Sequence, residues 1–243
     1  HDLQGDHSFM KRPHIYLVII IAAGVLAVLS LFAVGSNHEV QIVGTVVDAL
    51  SDDPIHGVKI TVGGRSTVRY LDKNFKITNL KPGIHELRAS SPGYETQTKE
   101  VNLKSSTNFT EIRLKGKEIP GLDHIIVFAD SIIARGIQLE IRFVNEQGIG
   151  IKHFPRLALT MDAKLSVRLG NKEKHQRGRL IYSGPVELFW HSEALLGKYK
   201  GLIAKDKLQI PPGANGRFGI LEVVLHTNQG DFEDTISDIL LEW

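Results

Sequence analysis

The sequence predicts an all-β chain: two tandem β-sandwiches behind one N-terminal transmembrane helix. Three observations carry this. From Ile15 to Val34, 18 of 20 residues are apolar and none is charged. From residue 39 onward, apolar and polar residues alternate in short runs, broken by Gly, Pro, Asn and Asp at regular spacing. Across 39–116, no stretch holds a helical period over ten residues.

Composition narrows the function classes. The chain has 243 residues, 42% hydrophobic and 23% charged, which is ordinary for a folded protein and excludes wholesale disorder. Its 29 basic and 27 acidic residues leave a net charge of +2, so no nucleic-acid partner is expected. With no cysteine, disulfide scaffolds, thiolate zinc sites and thiol catalysis are excluded.

The apolar run comes first. Twenty helical residues rise about 30 Å, the thickness of a bilayer core. Lys11 and Arg12 precede the run, and the flank after it, GSNHEV, has neither Lys nor Arg. The positive-inside rule places the N-terminus in the cytoplasm and the residues beyond about 36 outside. Ala33 and Gly35 have the small-x-small spacing of a signal cleavage site, but the run exceeds the about 7–15 residues of a signal core. A retained anchor is therefore expected, with lipid as its partner through 15–34. Met10 before Lys11-Arg12 reads as a natural start.

Residues 39–116 read as a first sandwich. Strands are expected at 40–47, 58–62, 74–77, 85–89, 100–103 and 109–114, with turns at Ser51–Pro54, Gly63-Gly64, Leu80–Gly83 and Pro92-Gly93. The order Gly44-x-Val46-x-Asp48, Pro54-Ile55-x-Gly57-Val58-x-Ile60-x-Val62, Asn74-Phe75-x-Ile77, Asn79-Leu80-x-Pro82-Gly83 and Leu87-x-Ala89 to Gly93-Tyr94 resembles the carboxypeptidase regulatory-like (transthyretin-like) domain. Lys73-Asn74 departs from the Asp-Gly usual in the family, but Asn tolerates the left-handed conformation. The resemblance implies a sandwich fold and a non-catalytic appendage.

A linker is expected at 117–121, ending at Pro120-Gly121 and short enough to favour a fixed angle. Residues 122–243 then read as an immunoglobulin-like sandwich on pattern alone, with strands at 122–128, 137–144, 165–169, 179–182, 186–190, 208–210, 218–226 and 232–236. Ser183-Gly184-Pro185 reads as a turn between two paired strands, and Ser192–Lys200 as a short helix. Residues 1–14 complete the organisation as a short cytoplasmic tail.

Candidate sites are sparse. His-Glu-x-x-His, Gly-x-Ser-x-Gly and Gly-rich phosphate loops are absent, so neither a catalytic residue nor a cofactor is expected. His191-Ser192-Glu193 beside Trp190 is the most suggestive cluster, and an enzyme would need it joined to a residue such as Asp123. Asp48, Asp52, Asp53 and Asp72 have oxygen ligands for calcium, but turn chemistry explains them better. Lys172, Lys174, Arg177 and Arg179 form a basic loop, a docking patch for an acidic partner or lipid headgroup, or a solvated hairpin tip. Asn108-Phe109-Thr110 is an acceptor sequence for N-glycosylation.

The expectation is a non-enzymatic, single-pass membrane protein presenting two extracytoplasmic sandwiches for protein or glycan binding, adhesion or scaffolding in an envelope complex. Its partner would be a protein or a second copy. The alternative is a structural subunit of a surface filament or membrane machine, assembled through the hydrophobic helix.

Overall fold

The computed structural model describes residues 39–69, 74–170, 176–193 and 196–243. The expected helix at 15–34, Asp72, and Lys172 and Lys174 of the basic loop lie outside the described residues. Among the described residues, no helix is long and apolar enough to cross a membrane. Glu39–Trp243 forms one compact unit, with two hydrophobic cores closed inside it.

The first module holds β1 (Val40–Asp48), β2 (Val58–Val62), β3 (Arg65–Arg69), β4 (Asn74–Leu80), β5 (Gly83–Ser90), β6 (Gln97–Leu103) and β7 (Thr107–Leu114). They make two sheets, ordered β4-β1-β7 and β3-β2-β5-β6. β1 and β7 run parallel, Gln41 opposite Thr107 through Asp48 opposite Leu114. Alternation sends Ile42, Val46, Phe75, Ile60, Leu87 and Ile112 into one core. The sequence does not mark β3, because Arg-Ser-Thr-Val-Arg carries no apolar face and forms an edge.

Gly44 is required by contact. A Cβ there would lie 2.3 Å from the Thr110 carbonyl oxygen and 2.7 Å from the Phe75 ring. Gly44→Ala is expected to cost about 1–3 kcal/mol through overpacking, read as a lowered midpoint of chemical unfolding. An unchanged midpoint would mean the sheet can yield.

The second module holds β8 (His124–Ile132), β9 (Gly136–Val144), β10 (Thr160–Leu169), β11 (Gln176–Glu193), β12 (Leu196–Ala204), β13 (Phe218–Thr227) and β14 (Gly230–Leu240). Grouped as β8-β9-β12-β11 and β10-β13-β14, they follow the strand order of a seven-stranded immunoglobulin sandwich. The fourth strand departs from that plan. β11 is 18 residues long, pairing with β10 as far as Val186 and with β12 from Glu187. The two sheets are thereby one continuous seven-stranded sheet, folded over so that β14 lies against β8.

Three local expectations are corrected. Ser183-Gly184-Pro185 is not a turn but the point where β11 passes between layers, with Lys164 opposite Ser183 and Asp162 opposite Pro185. The described residues of 192–200 are not helical: Ser192 and Glu193 end β11 and 196–200 open β12, where Tyr199 and Ile203 point inward at period two. Residues 208–210 are not a strand; they follow a single 3-10 turn, Lys205–Lys207.

Residues 117–121 are built into the second module. Ile119 is fully buried in the second core, and the Gln229 side chain bonds both its N–H (2.7 Å) and its carbonyl (3.1 Å). The Lys117 and Glu118 N–H groups both donate to the Gly93 carbonyl of the first module.

Candidate functional site

The two modules meet at a cleft built around two aspartates of the β1–β2 turn. Asp48 is only 2% exposed, at the end of β1. Its Oδ1 accepts from the Leu50 and Ser51 N–H groups at 2.8 and 3.0 Å, shaping the turn. Its Oδ2 accepts from the Tyr94 hydroxyl and from the Arg156 N–H of the second module, both at 3.0 Å. One carboxylate thus ties together the turn, the Gly93-Tyr94 corner and the segment between β9 and β10. Burial, and then the Asp48 charge beside it, hold the Tyr94 phenol well above its ordinary value.

Asp53 makes the second tie. Its Oδ2 accepts from the Trp190 indole at 2.8 Å and its Oδ1 from the Ser192 hydroxyl at 2.9 Å. Trp190 is seated over Gly197, where a Cβ would fall 1.7 Å from the ring. Phe154 and Tyr199 meet Trp190 edge-on, with centroids 5.8 and 5.0 Å away. The Tyr199 hydroxyl bonds the Leu157 backbone, and burial pushes its pKa up to about 12.

Beside these ties the cleft stays open, with a volume of about 510 Å³ and mostly apolar walls. At its mouth the modules touch through two imidazoles. His56 and His153 face each other with ring centroids 4.0 Å apart. The His56 Nε2 is buried without a hydrogen-bond partner. Desolvation, then His56 and Lys152, lower the His153 pKa. A lowered histidine pKa means the unfolded chain binds the extra proton first. The stability His153 contributes is therefore present above about pH 6.5 and lost as the pH falls below it. His226, held by Asp231 and Asp162, has its pKa raised and the opposite sign. The melting temperature of wild type relative to His153→Asn isolates the first effect. The gap should narrow from about pH 7.5 to about pH 5.5, and a constant gap would contradict the assignment.

The residues singled out in the sequence scatter between this cleft and the surface. Asp48 and Asp53 are in it; Asp52 is exposed and pairs with Arg113 at 2.5 Å. Trp190 and Ser192 reach Asp53, while His191 faces away, in register with Lys198. The Glu193 side chain is outside the described residues. Asp123 holds His124 at 2.9 Å at the start of β8. β8 lies three strands from β11, about 14 Å across the sheet, so Asp123 and His191 are not brought together. Among the described residues, no three metal-ligating side chains converge.

Asn108 braces the β6–β7 turn: its Oδ1 accepts from the Lys104 N–H and its Nδ2 donates to the Gln41 and Ser105 carbonyls. Arg177 pairs with Glu222 at 2.5 Å, and Arg179 is exposed. No signal in the sequence marks His56, His153 and Phe154, since nothing in an isolated run shows that two modules meet there.

Architecture and junction define a tandem all-β protein, a two-sheet sandwich fused to one with immunoglobulin strand order. The first module is a carboxypeptidase regulatory-like domain: residues 41–115 match the family model of that description. A search of curated proteins returns no match. Among solved structures, BcpA, the major pilin subunit of Bacillus cereus, is 9% identical, covers 84% of this chain and 69% of its own, and has a TM-score of 0.29. The Bacillus anthracis TIE protein is 9% identical over 84% of this chain and 49% of its own, with a TM-score of 0.29. A streptococcal ancillary pilin is 12% identical over 85% and 61%, with a TM-score of 0.27. These likenesses are loose and carry no functional argument.

Proposed function

We propose that this chain is a non-enzymatic, single-pass membrane protein. Residues 15–34 anchor it, and the two sandwiches form an extracytoplasmic head that binds a protein or glycan partner within an envelope complex. The observation that carries this reading is the junction. Asp48 bonds groups of both modules and Asp53, from the first, bonds Trp190 and Ser192 of the second, so the head presents its surfaces at a fixed angle, as a scaffold requires. One such surface is the outer face of β8-β9-β12-β11, where Ile126, Phe128 and Phe189 are exposed and Arg142 lies 4.3 Å over the Phe128 ring. The uncharged run after Lys11-Arg12 supports the anchor.

The test is a crosslinked pull-down from native membranes with the full chain and with residues 39–243, alongside alkaline extraction of the membranes. The full chain should resist extraction, and both forms should retain the same protein partners. Recovery of mainly self-copies, only when 15–34 is present, would replace this reading with a subunit assembled through its helix. Release at alkaline pH would overturn the anchor.

A further inference from the structure

The junction cleft has features that holding two modules together does not require. Its volume of about 510 Å³ falls in the range of small-ligand sites. Its carboxylates are committed: Asp48 accepts four hydrogen bonds and Asp53 accepts from Trp190 and Ser192. Its cationic end is not. Lys152 lines the cleft and forms no ion pair among the described residues. Beside Lys152 the His56 and His153 rings, 4.0 Å apart, form one wall of this end.

We propose that this cleft binds a small amphipathic anion: an apolar body of one or two rings carrying one carboxylate or sulfonate. The anionic group sits at Lys152 and the His56–His153 pair, and the body lies against Trp190 and Phe154.

Charge decides the sign of the ligand. The titratable and charged groups around the imidazoles are Asp48 and Asp53 from the β1–β2 turn, Tyr94 from the β5–β6 corner, and Lys152 and Arg156 from the segment after β9. Both aspartates are already held by hydrogen bonds, and Lys152, the cation beside the His56–His153 pair, has no ion-pair partner among the described residues. An anion placed at that end pairs with Lys152. It also stabilises protonated imidazole, so binding takes up protons and tightens as pH falls through the histidine range. The site is independent of what the outer faces of the head engage, so its failure leaves the scaffold reading in place.

The test is calorimetry on residues 39–243, the self-contained unit, with indole-3-acetate, its neutral amide and tryptamine. Indole-3-acetate should bind about tenfold or more tighter than the amide, and tryptamine more weakly still. Its affinity should rise several-fold from about pH 7.5 to about pH 5.5, with proton uptake seen as a buffer-dependent heat. Lys152→Glu, at an exposed position, should weaken binding about tenfold while leaving the melting temperature unchanged. His153→Phe keeps a stacked ring and should reduce the pH dependence. Equal binding of all three probes would overturn the proposal, as would no binding of the acetate at about 5 mM. Indifference of the acetate to Lys152→Glu would overturn it too.

Discussion

Asp48→Ala should destabilise the head more than any other single polar substitution, by about 3–5 kcal/mol in chemical unfolding. The carboxylate is 2% exposed and is the acceptor for Leu50, Ser51, Tyr94 and Arg156. Removing it strands four donors at once. Buried donors left without partners cost about 1–3 kcal/mol each, discounted here because the turn can relax and water can enter. Two of the four bonds lie within the turn, while Arg156 belongs to the other module. The variant should therefore lose cooperativity as well as stability, with the modules unfolding in separable steps. Asp52→Ala is the control: Asp52 is exposed and its pair with Arg113 is worth less than about 1 kcal/mol. Equal effects of the two substitutions would remove Asp48 from its central role.

Gly197→Ala is the second large effect, expected at about 2–4 kcal/mol. The added methyl would sit 1.7 and 2.0 Å from the Trp190 Cζ2 and Cη2 atoms. The ring must move, and the 2.8 Å bond to Asp53 goes with it. Trp190→Phe keeps an aromatic ring and drops the indole donor, so it should cost less, about 1–1.5 kcal/mol. With Trp243 replaced by Phe, the remaining indole should emit at longer wavelength in Gly197→Ala, as solvent reaches it. Unshifted emission would mean that Trp190 keeps its seat and that the backbone yields instead.

What could be read from the sequence was local, and what could not was distant. Val58-Lys-Ile-Thr-Val62 alternates strictly, and it forms the strand its pattern predicts. The Gly44, Asp48 and Gly93-Tyr94 positions that carry the family resemblance have physical reasons that the structure supplies: a ring against Gly44, and a phenol on Asp48. β11 misled because Gly and Pro together signal a turn, yet here they ease a long strand from one layer into the next. The segment 192–200 reads as a helix because Gly197 dilutes its alternation. The cleft was hidden by chain separation. Asp48 and Arg156 are 108 residues apart, and Asp53 and Trp190 are 137 apart. No window on the sequence spans such pairs, although Asp48, Asp53 and Trp190 each stand out for other reasons.

The parallel pairing of β1 with β7 bears on how the head would respond to a pull. The chain enters the first module at the start of β1 and leaves it for the second at the end of β7. Tension between those two points runs along both strands in opposite senses. The eight paired positions from Gln41–Thr107 to Asp48–Leu114 are then loaded together, in shear, rather than peeled one at a time. Rupture under such a load is governed by the unfolding rate, so the strand that opens the domain and the strand that closes it form its mechanical clamp.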